Sequence, residues 1–489
     1  LRKPFHYALS LGLCVCITLS SSRSAPSFAA DLPMLGDPVS AVVSPQDELL
    51  LGNAYMRALQ GSMPIIYDPE LNNYLQALFN TIQMANQSQL PPLQLLVINS
   101  SAINAFAVPG GVMGINAGLL LYTTDEAELA AVVAHELAHL SQRHFARGIE
   151  RQERTKWATY AGLLAGLALL ATSDSSTGVA SILATQAATL DAQLQFSRQN
   201  EQEADRVGMD ALNRAGFDPR AMPAFFNRLL RSRQFAGSDD FEFLKTHPVT
   251  RSRISDSQSR ADQLFDGNYL ANQSTEFQYM QARITAAYSG EPNTAVRKFM
   301  DRFEQQPDNQ VNRYGLSRAL LRDEQFTKAL EHADVLSKLE PNNLTFGLLR
   351  VEILIEQEQF ATSATAIEQL QQRFPFNQPL RYYQALTQLR LKHYDIAATQ
   401  FEALLKDSPN NVLYLLKLRY AYGKQHNNVE TQITQARLQF SKGKYQQARN
   451  HYEQALRLID RNNLSYRSQV IQSIRDIRRL EQKLERFSS

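Results

Sequence analysis

Residues 123–140 read TTDEAELAAVVAHELAHL, and the fold of the chain's first half turns on them. Thr123 followed three residues later by Glu126 has the form of a capping box, and the apolar positions Ala127, Leu129, Ala130, Val133 and Ala134 then recur with helical period as far as Leu140. The spacing therefore predicts a long helix. Its neighbours around the histidines are small or apolar, which suits a buried helix. Positions four apart on a helix share a face, so His135 and His139 can point at one Zn²⁺. Glu136 can then reach a water whose pKa the metal lowers from about 15.7 toward about 7. The competing account is a helix with two half-buried histidines and no metal. The cap and the apolar surroundings weigh against it.

The helix needs a scaffold, and the flanking residues supply one. Ser44-Pro45 opens a helix through Ala58, and Asp68-Pro69 opens another through Met84. The period then changes. Leu93–Ile98, Ile103–Val108 and Val112–Ile115 are short β-branched runs separated by Asn99-Ser100-Ser101 and Pro109-Gly110-Gly111, which predicts a small sheet ahead of the HExxH helix. Asn104, Ala105, Phe106 and Ala107 would line a cleft and pair with an extended peptide if they form an edge strand; an ordinary hairpin fits them equally well. Beyond the helix, Trp157–Thr172 is apolar but short and contains Gly162 and Gly166, so a buried or mobile hairpin near the active site is expected there rather than a membrane span.

A metal hydrolase needs a third protein ligand. The metzincin pattern would place glycine and histidine where this chain has Gln142 and Phe145, which excludes that class. His144, five residues past His139, faces about 140° away on a continuous helix and is expected to cap or pack. The better candidates lie in the helical segment Asn200–Gly208. There Glu201 and Asp205 share one face, so Glu201 can bind the metal while Asp205 orients a ligand histidine or protonates a leaving group. Glu203 points elsewhere. The alternative is a solvated acidic face.

Composition bounds what else the chain can do. At 489 residues two or more domains are expected, and a net charge of +2 gives no electrostatic case for nucleic acid. Arg2 and Lys3, the apolar run Tyr7–Leu19 and the small residues Ser27 and Ala29 form a secretory signal, with cleavage expected after Ala29. Both cysteines, Cys14 and Cys16, lie inside it. At about 13 residues the run is too short to span a bilayer, so no transmembrane anchor is expected, while peripheral association with a membrane stays open. The predicted layout is a signal over 1–30, a metallopeptidase domain over 31–265 and a repeat domain over 270–489.

The repeats announce themselves by period. Pro307, Pro341, Pro375 and Pro409 are spaced by 34, as are Phe326, Phe360 and Tyr394, with Ala329, Ser363 and Ala397 three residues after each aromatic. That is the tetratricopeptide period: a small residue where two helices cross, an aromatic opening the second helix and a proline between repeats. Tyr445, Ala448, Tyr452 and Ala455 repeat it out of phase, with an extra helix expected near 411–430. The fold class is thus mainly α: helices with a small sheet, then an α-solenoid whose concave face binds proteins.

Together, His135-Glu136-x-x-His139, Glu201-x-x-x-Asp205, Asn104–Gly111 and Thr246-His247-Pro248 with Arg253-Ile254 resemble the gluzincin peptidases, the family that includes HtpX, Oma and the CAAX prenyl proteases. The resemblance implies one zinc per chain on His135, His139 and Glu201, Glu136 as general base, and Asp205 as a supporting or proton-donating acid. His247 is either a displaceable fourth ligand or a structural turn with Pro248, and Arg253 either stabilises an oxyanion or pairs with a carboxylate. With the signal and the repeats added, the resemblance is to members working in the periplasm of Gram-negative bacteria. Their repeats engage outer-membrane β-barrel proteins and the machinery that assembles them. The rival expectation is a non-proteolytic chaperone or scaffold with an idle zinc site.

Overall fold

The computed structural model describes residues 44–86, 90–145, 147, 198–236, 241–267, 269, 274–288 and 290–488. The expected signal segment and the Trp157–Thr172 run lie outside the described residues. Among the described residues no helix is long and apolar enough to cross a membrane.

Both proline-opened helices form: α1 is Pro45–Ser62, capped by Ser44, and α2 is Pro69–Ala85, capped by Asp68, whose carboxylate accepts the N–H groups of Glu70 and Leu71. The three strands follow as β1 (Gln94–Ile98), β2 (Ala105–Val108) and β3 (Val112–Asn116). Their order is β1-β3-β2, with β3 parallel to β1 and antiparallel to β2 in the register Ala105–Ile115 to Val108–Val112. β2 is therefore an edge strand. Its hairpin turn uses Gly110 and Gly111 at φ 89° and 80°, conformations open to glycine.

α3 (Ala117–Tyr122) leads into the HExxH helix α4 (Glu126–Ser141), and this corrects the predicted cap. Because α3 runs to Tyr122, the Thr123 hydroxyl bonds back to the carbonyls of Leu119 and Leu120. Asp125 caps α4 instead: its carboxylate accepts the Glu128 N–H at 2.9 Å, while Glu128 accepts the Thr124 N–H at 2.8 Å. The capping box is the expected chemistry displaced by two residues. α5 (Arg198–Arg214) packs along α4, and α6 (Ala221–Ala236), the single-turn α7 (Phe243–Thr246) and α8 (Arg251–Leu264) complete this half.

From residue 275 the chain is helix pairs: α9 (Thr275–Tyr288) and α10 (Pro292–Gln305), α11 (Gln310–Arg322) and α12 (Phe326–Leu339), α13 (Leu344–Glu356) and α14 (Phe360–Gln371), α15 (Gln378–Arg390) and α16 (Tyr394–Asp407), α17 (Val412–Lys424) and α18 (Asn428–Ser441). α19 (Tyr445–Leu458) and α20 (Leu464–Ser488) close the array. The predicted aromatics each open the second helix of a pair, and Ala329, Ser363 and Ala397 are fully buried at the crossings. The intra-pair turns keep the beat more faithfully than the aromatics do. Gly290, Glu324, Glu358, Lys392 and His426, spaced by 34, all have positive φ, so α17 and α18 continue the repeat rather than intruding on it. Sequence pattern missed this pair because Asn428 stands where the aromatic would be and Gly443 where the proline would be.

The array is fastened to the first half at two places. One apolar core runs from Ile66, just ahead of α2, Leu71 and Leu75 of α2 and the buried face of α4 into Phe277, Tyr314 and Phe346 of the array. A second joins Leu51, Tyr55 and Leu59 of α1 to Ala436, Tyr445 and Ala448 at the array's far end, where a Cβ on Gly61 would stand 2.2 Å from the Lys442 carbonyl oxygen. Beside the first lies a buried ionic cluster. Arg283 reaches Asp68 at 2.6 Å and Glu70 at 2.8 Å, and Arg318 pairs with Glu352, which also accepts from Tyr383.

Candidate metal centre

α4 delivers His135, Glu136 and His139 into the interior, and α5 brings Glu201 and Asp205 against them. The two helices can approach this closely because of Gly208. A Cβ there would sit 2.9 Å from the Ala134 carbonyl oxygen and 3.0 Å from the His135 nitrogen. Sequence reasoning passed over this glycine, for which the α5 pattern offers no local need.

Four donors converge: His135, His139, Glu201 and His247 can each offer one atom, all within 4.8 Å of one another. Nε2 of His135 and His139 are 3.0 Å apart, the Glu201 oxygens lie 3.5 and 3.4 Å from them, and His247 Nδ1 is 3.3 Å from His135 Nε2 and 3.1 Å from Glu201. A tetrahedral ion with ligand bonds of about 2.0–2.2 Å has edges of roughly 3.3–3.6 Å, and donors 3.0–3.5 Å apart need open by only a few tenths of an ångström to hold one. A single shared proton could serve only one of these contacts at a time. The electrostatics agree. Burial works against charge on His135, yet the carboxylates of Asp205 and Glu201 push its pKa up to about 9, so the pocket favours positive charge where the donors meet. Burial holds His139 well below its ordinary value, whereas His247 and His135 outweigh burial and hold Glu201 well below the usual carboxylate range.

Glu136 is buried beside this set. Its carboxylate accepts the Ala107 N–H from β2 and lies 3.3 Å from His247 Nε2, and burial raises its pKa. Asp205 Oδ1 stands 3.0 Å from His135 Nδ1. Arg253, buried on α8, directs both Nε and Nη2 at Asp205 at 2.7 Å and Nη1 at Glu201 and the Pro248 carbonyl at 2.8 Å. This guanidinium pairs with the carboxylates of Asp205 and Glu201. His247 follows α7 directly, its ring stacked on Phe243 at 4.8 Å. Asn104 is buried ahead of β2, 3.5 Å from Glu242, and Phe106 lays its ring over Gly114.

His144 departs most from expectation. α4 stops at Ser141, and Arg143, at φ 48°, turns the chain left-handed and swings His144 back to His139, Nδ1 to Nδ1 at 3.0 Å. That backbone state costs roughly 1–2 kcal/mol for a residue with a Cβ. Glu203, expected to point elsewhere, meets the other side of the His144 ring at 3.1 Å. Burial pushes His144 down to about 4, so the ring is neutral at ordinary pH.

Residues 69–261 match the model of peptidase family M48, and residues 348–412 match a tetratricopeptide repeat. The Escherichia coli protein named beta-barrel assembly-enhancing protease is 34% identical over 69% of this chain and 70% of its own length. Its namesake in Yersinia pestis is 33% identical over 70% and 69%. The chain belongs to peptidase family M48, alongside these proteases. In Arabidopsis thaliana the mitochondrial metalloendopeptidase OMA1 is 34% identical over 33% of this chain and 30% of its own. This M48 chain is thus a metallopeptidase with a helical repeat array, and its buried donor set could hold the metal.

Proposed function

We propose that the chain is a periplasmic zinc-dependent endopeptidase that degrades misfolded outer-membrane β-barrel proteins and promotes assembly of the rest, with a chaperone-like contribution from its repeats. Its layout on this account is an export segment over 1–30, a peptidase domain over 31–265 and a repeat domain over 270–489. The observation that carries it is the buried donor set of His135, His139, Glu201 and His247 with the Glu136 carboxylate alongside. The relatives' names supply the substrate class. Zinc is the metal that two imidazoles and a carboxylate in tetrahedral disposition suit best.

When bound, zinc would polarise the scissile carbonyl and acidify a water. Glu136, whose pKa burial raises, would take a proton from that water and return it to the leaving nitrogen. Asp205 holds His135 by its Nδ1 edge, and Arg253 holds Asp205. The edge strand β2, through Asn104, Ala105, Phe106 and Ala107, accepts an extended peptide beside Glu136.

His247 supports a second reading. Its Nδ1 stands where a fourth ligand would, and its Nε2 faces Glu136, so the resting site is closed and the chain in that state works as a scaffold. A cavity of about 870 Å³ between α2, β1 and the 407–414 turn of the array gives such a scaffold room for a polypeptide. The test is degradation of a refolding-arrested β-barrel protein by purified variants. Glu136→Gln should keep zinc and lose at least about a hundredfold in rate, and His247→Ala should raise basal cleavage. Undiminished turnover by Glu136→Gln would sink the mechanism; unimpaired barrel assembly by the same variant would favour the scaffold.

A further inference from the structure

We propose that His144 and Glu203 are positioning residues for the ligand His139, holding it in the tautomer that leaves Nε2 for the metal. The inference rests on the metal assignment made above and adds to it the residues that set the second histidine. His139 presents Nε2 to His135 and Glu201, so if Nε2 ligates, the neutral ring carries its proton on Nδ1. Among the described residues that proton meets Nδ1 of His144 at 3.0 Å. Two N–H groups cannot face each other there. His144 must accept at Nδ1, and its own proton is then on Nε2, directed at the Glu203 carboxylate at 3.1 Å. Arg147 donates to the same Glu203 oxygen at 2.8 Å and anchors the end of the chain of bonds.

The direction of every proton in this series is set by the half-exposed carboxylate at its far end. A carboxylate beside Nε2 favours the proton at that nitrogen, which frees Nδ1 of His144 as the acceptor, which in turn keeps the His139 proton off the metal-facing nitrogen. His135 obtains the same service directly from Asp205, 3.0 Å from its Nδ1. The two ligands are thus oriented by different means, a carboxylate in one case and a carboxylate acting through an imidazole in the other. The left-handed Arg143 is what makes the second arrangement reachable, since on a continued helix His144 would lie on another face. Arg143 is itself tied to Glu48 of α1 at 3.0 Å.

The experiment uses the full chain and reads Zn²⁺ affinity by competition with a chromophoric chelator, together with the rate of Zn²⁺ loss to excess chelator. His144→Leu keeps the volume and removes the acceptor; it should weaken zinc binding roughly 10–100-fold and speed metal loss, with the metal-free circular dichroism and melting unchanged. His144→Gln offers a carbonyl to His139 and an amide to Glu203, and should recover affinity to within about threefold of wild type. Glu203→Ala, at a half-exposed position that tolerates change, should cost roughly threefold to tenfold. ¹⁵N–¹H spectra of the zinc-loaded chain should show His139 protonated at Nδ1. Binding within twofold of wild type by both His144→Leu and Glu203→Ala, while His139→Ala loses zinc, would overturn the proposal and leave the metal assignment standing. Full zinc affinity in His139→Ala would overturn both.

Discussion

Replacing Gly208 with alanine sets two physical effects of opposite sign against each other. Helix propensity alone favours alanine by about 1 kcal/mol in the middle of α5. Packing opposes it. The new Cβ would lie 2.9 Å from the Ala134 carbonyl oxygen and 3.0 Å from both the Ala134 carbonyl carbon and the His135 nitrogen, where ordinary contact begins near 3.4 Å. All three contacts are backbone of α4 and cannot rotate aside, so α5 must retreat by roughly 0.4–0.5 Å, the kind of overpacking that costs about 1–3 kcal/mol. Glu201 lies two helical turns earlier on the same face of α5, and the retreat therefore opens the gap between its carboxylate and the two histidines. A metal site tolerates about 0.2 Å in its bonds. The expected outcome is a net loss of about 1 kcal/mol in metal-free stability and at least a tenfold weaker zinc affinity, read by urea unfolding and by chelator competition. A variant as stable as wild type, or more so, with unchanged zinc affinity would refute the argument that Gly208 sets the α4–α5 spacing.

Two further outcomes concern the ionic cluster beneath the array. Arg283→Met should destabilise the chain by about 3–5 kcal/mol in calorimetry, because Asp68 and Glu70 would be left buried without the guanidinium that now sits 2.6 and 2.8 Å away; a loss under about 1 kcal/mol would show that the pair is dispensable. Glu70→Gln tests the charge excess of three carboxylates over two arginines. Burial raises Glu70 to about 7 from an ordinary 4.5, so its folded form holds a proton that the unfolded form has already released between those values. Its favourable contribution is complete below about 4.5 and disappears as pH rises through about 7, a change of up to about 3 kcal/mol. The stability of Glu70→Gln relative to wild type should accordingly improve between pH 5 and pH 8; a pH-independent difference would show that Glu70 does not titrate in the fold.

Legibility in the sequence followed the range of the interaction concerned. The donor residues on α4 and α5 could be picked out because i, i+4 spacing is a property of one helix, and the repeat pairs because a 34-residue period is carried by the chain itself. What escaped depended on contacts between elements. Gly208 matters only because α4 lies against it, and His144 reaches His139 only because Arg143 leaves the helical conformation, which arginine does not advertise. Arg253 illustrates the same limit from the other side. Its nearness to the site was legible, but its orientation was decided by Asp205, Glu201 and the Pro248 carbonyl, which compete for its donors. The misplaced cap of α4 arose because α3 had already claimed the residues up to Tyr122, leaving Thr123 to bond backwards.

The two attachments of the array bear on how a site closed by His247, as proposed above, could open. An array joined to its partner by one end could swing and uncover the donors. Here the first pairs share a core with α2 and α4, and the last helices share another with α1, so swinging would have to break one of two buried apolar contacts at once with the rest. Each comprises many side chains worth about 1.5–3 kcal/mol apiece, well beyond what a bound peptide supplies in passing. Both ends of the array are thus held against the first half by buried apolar contacts. His247 hangs from the single turn of α7, whose Phe243 N–H is bonded to the Ile103 carbonyl immediately ahead of β2 at 3.1 Å. On the function proposed above, a substrate pairing with β2 would act on the residue that holds α7, and through it on His247.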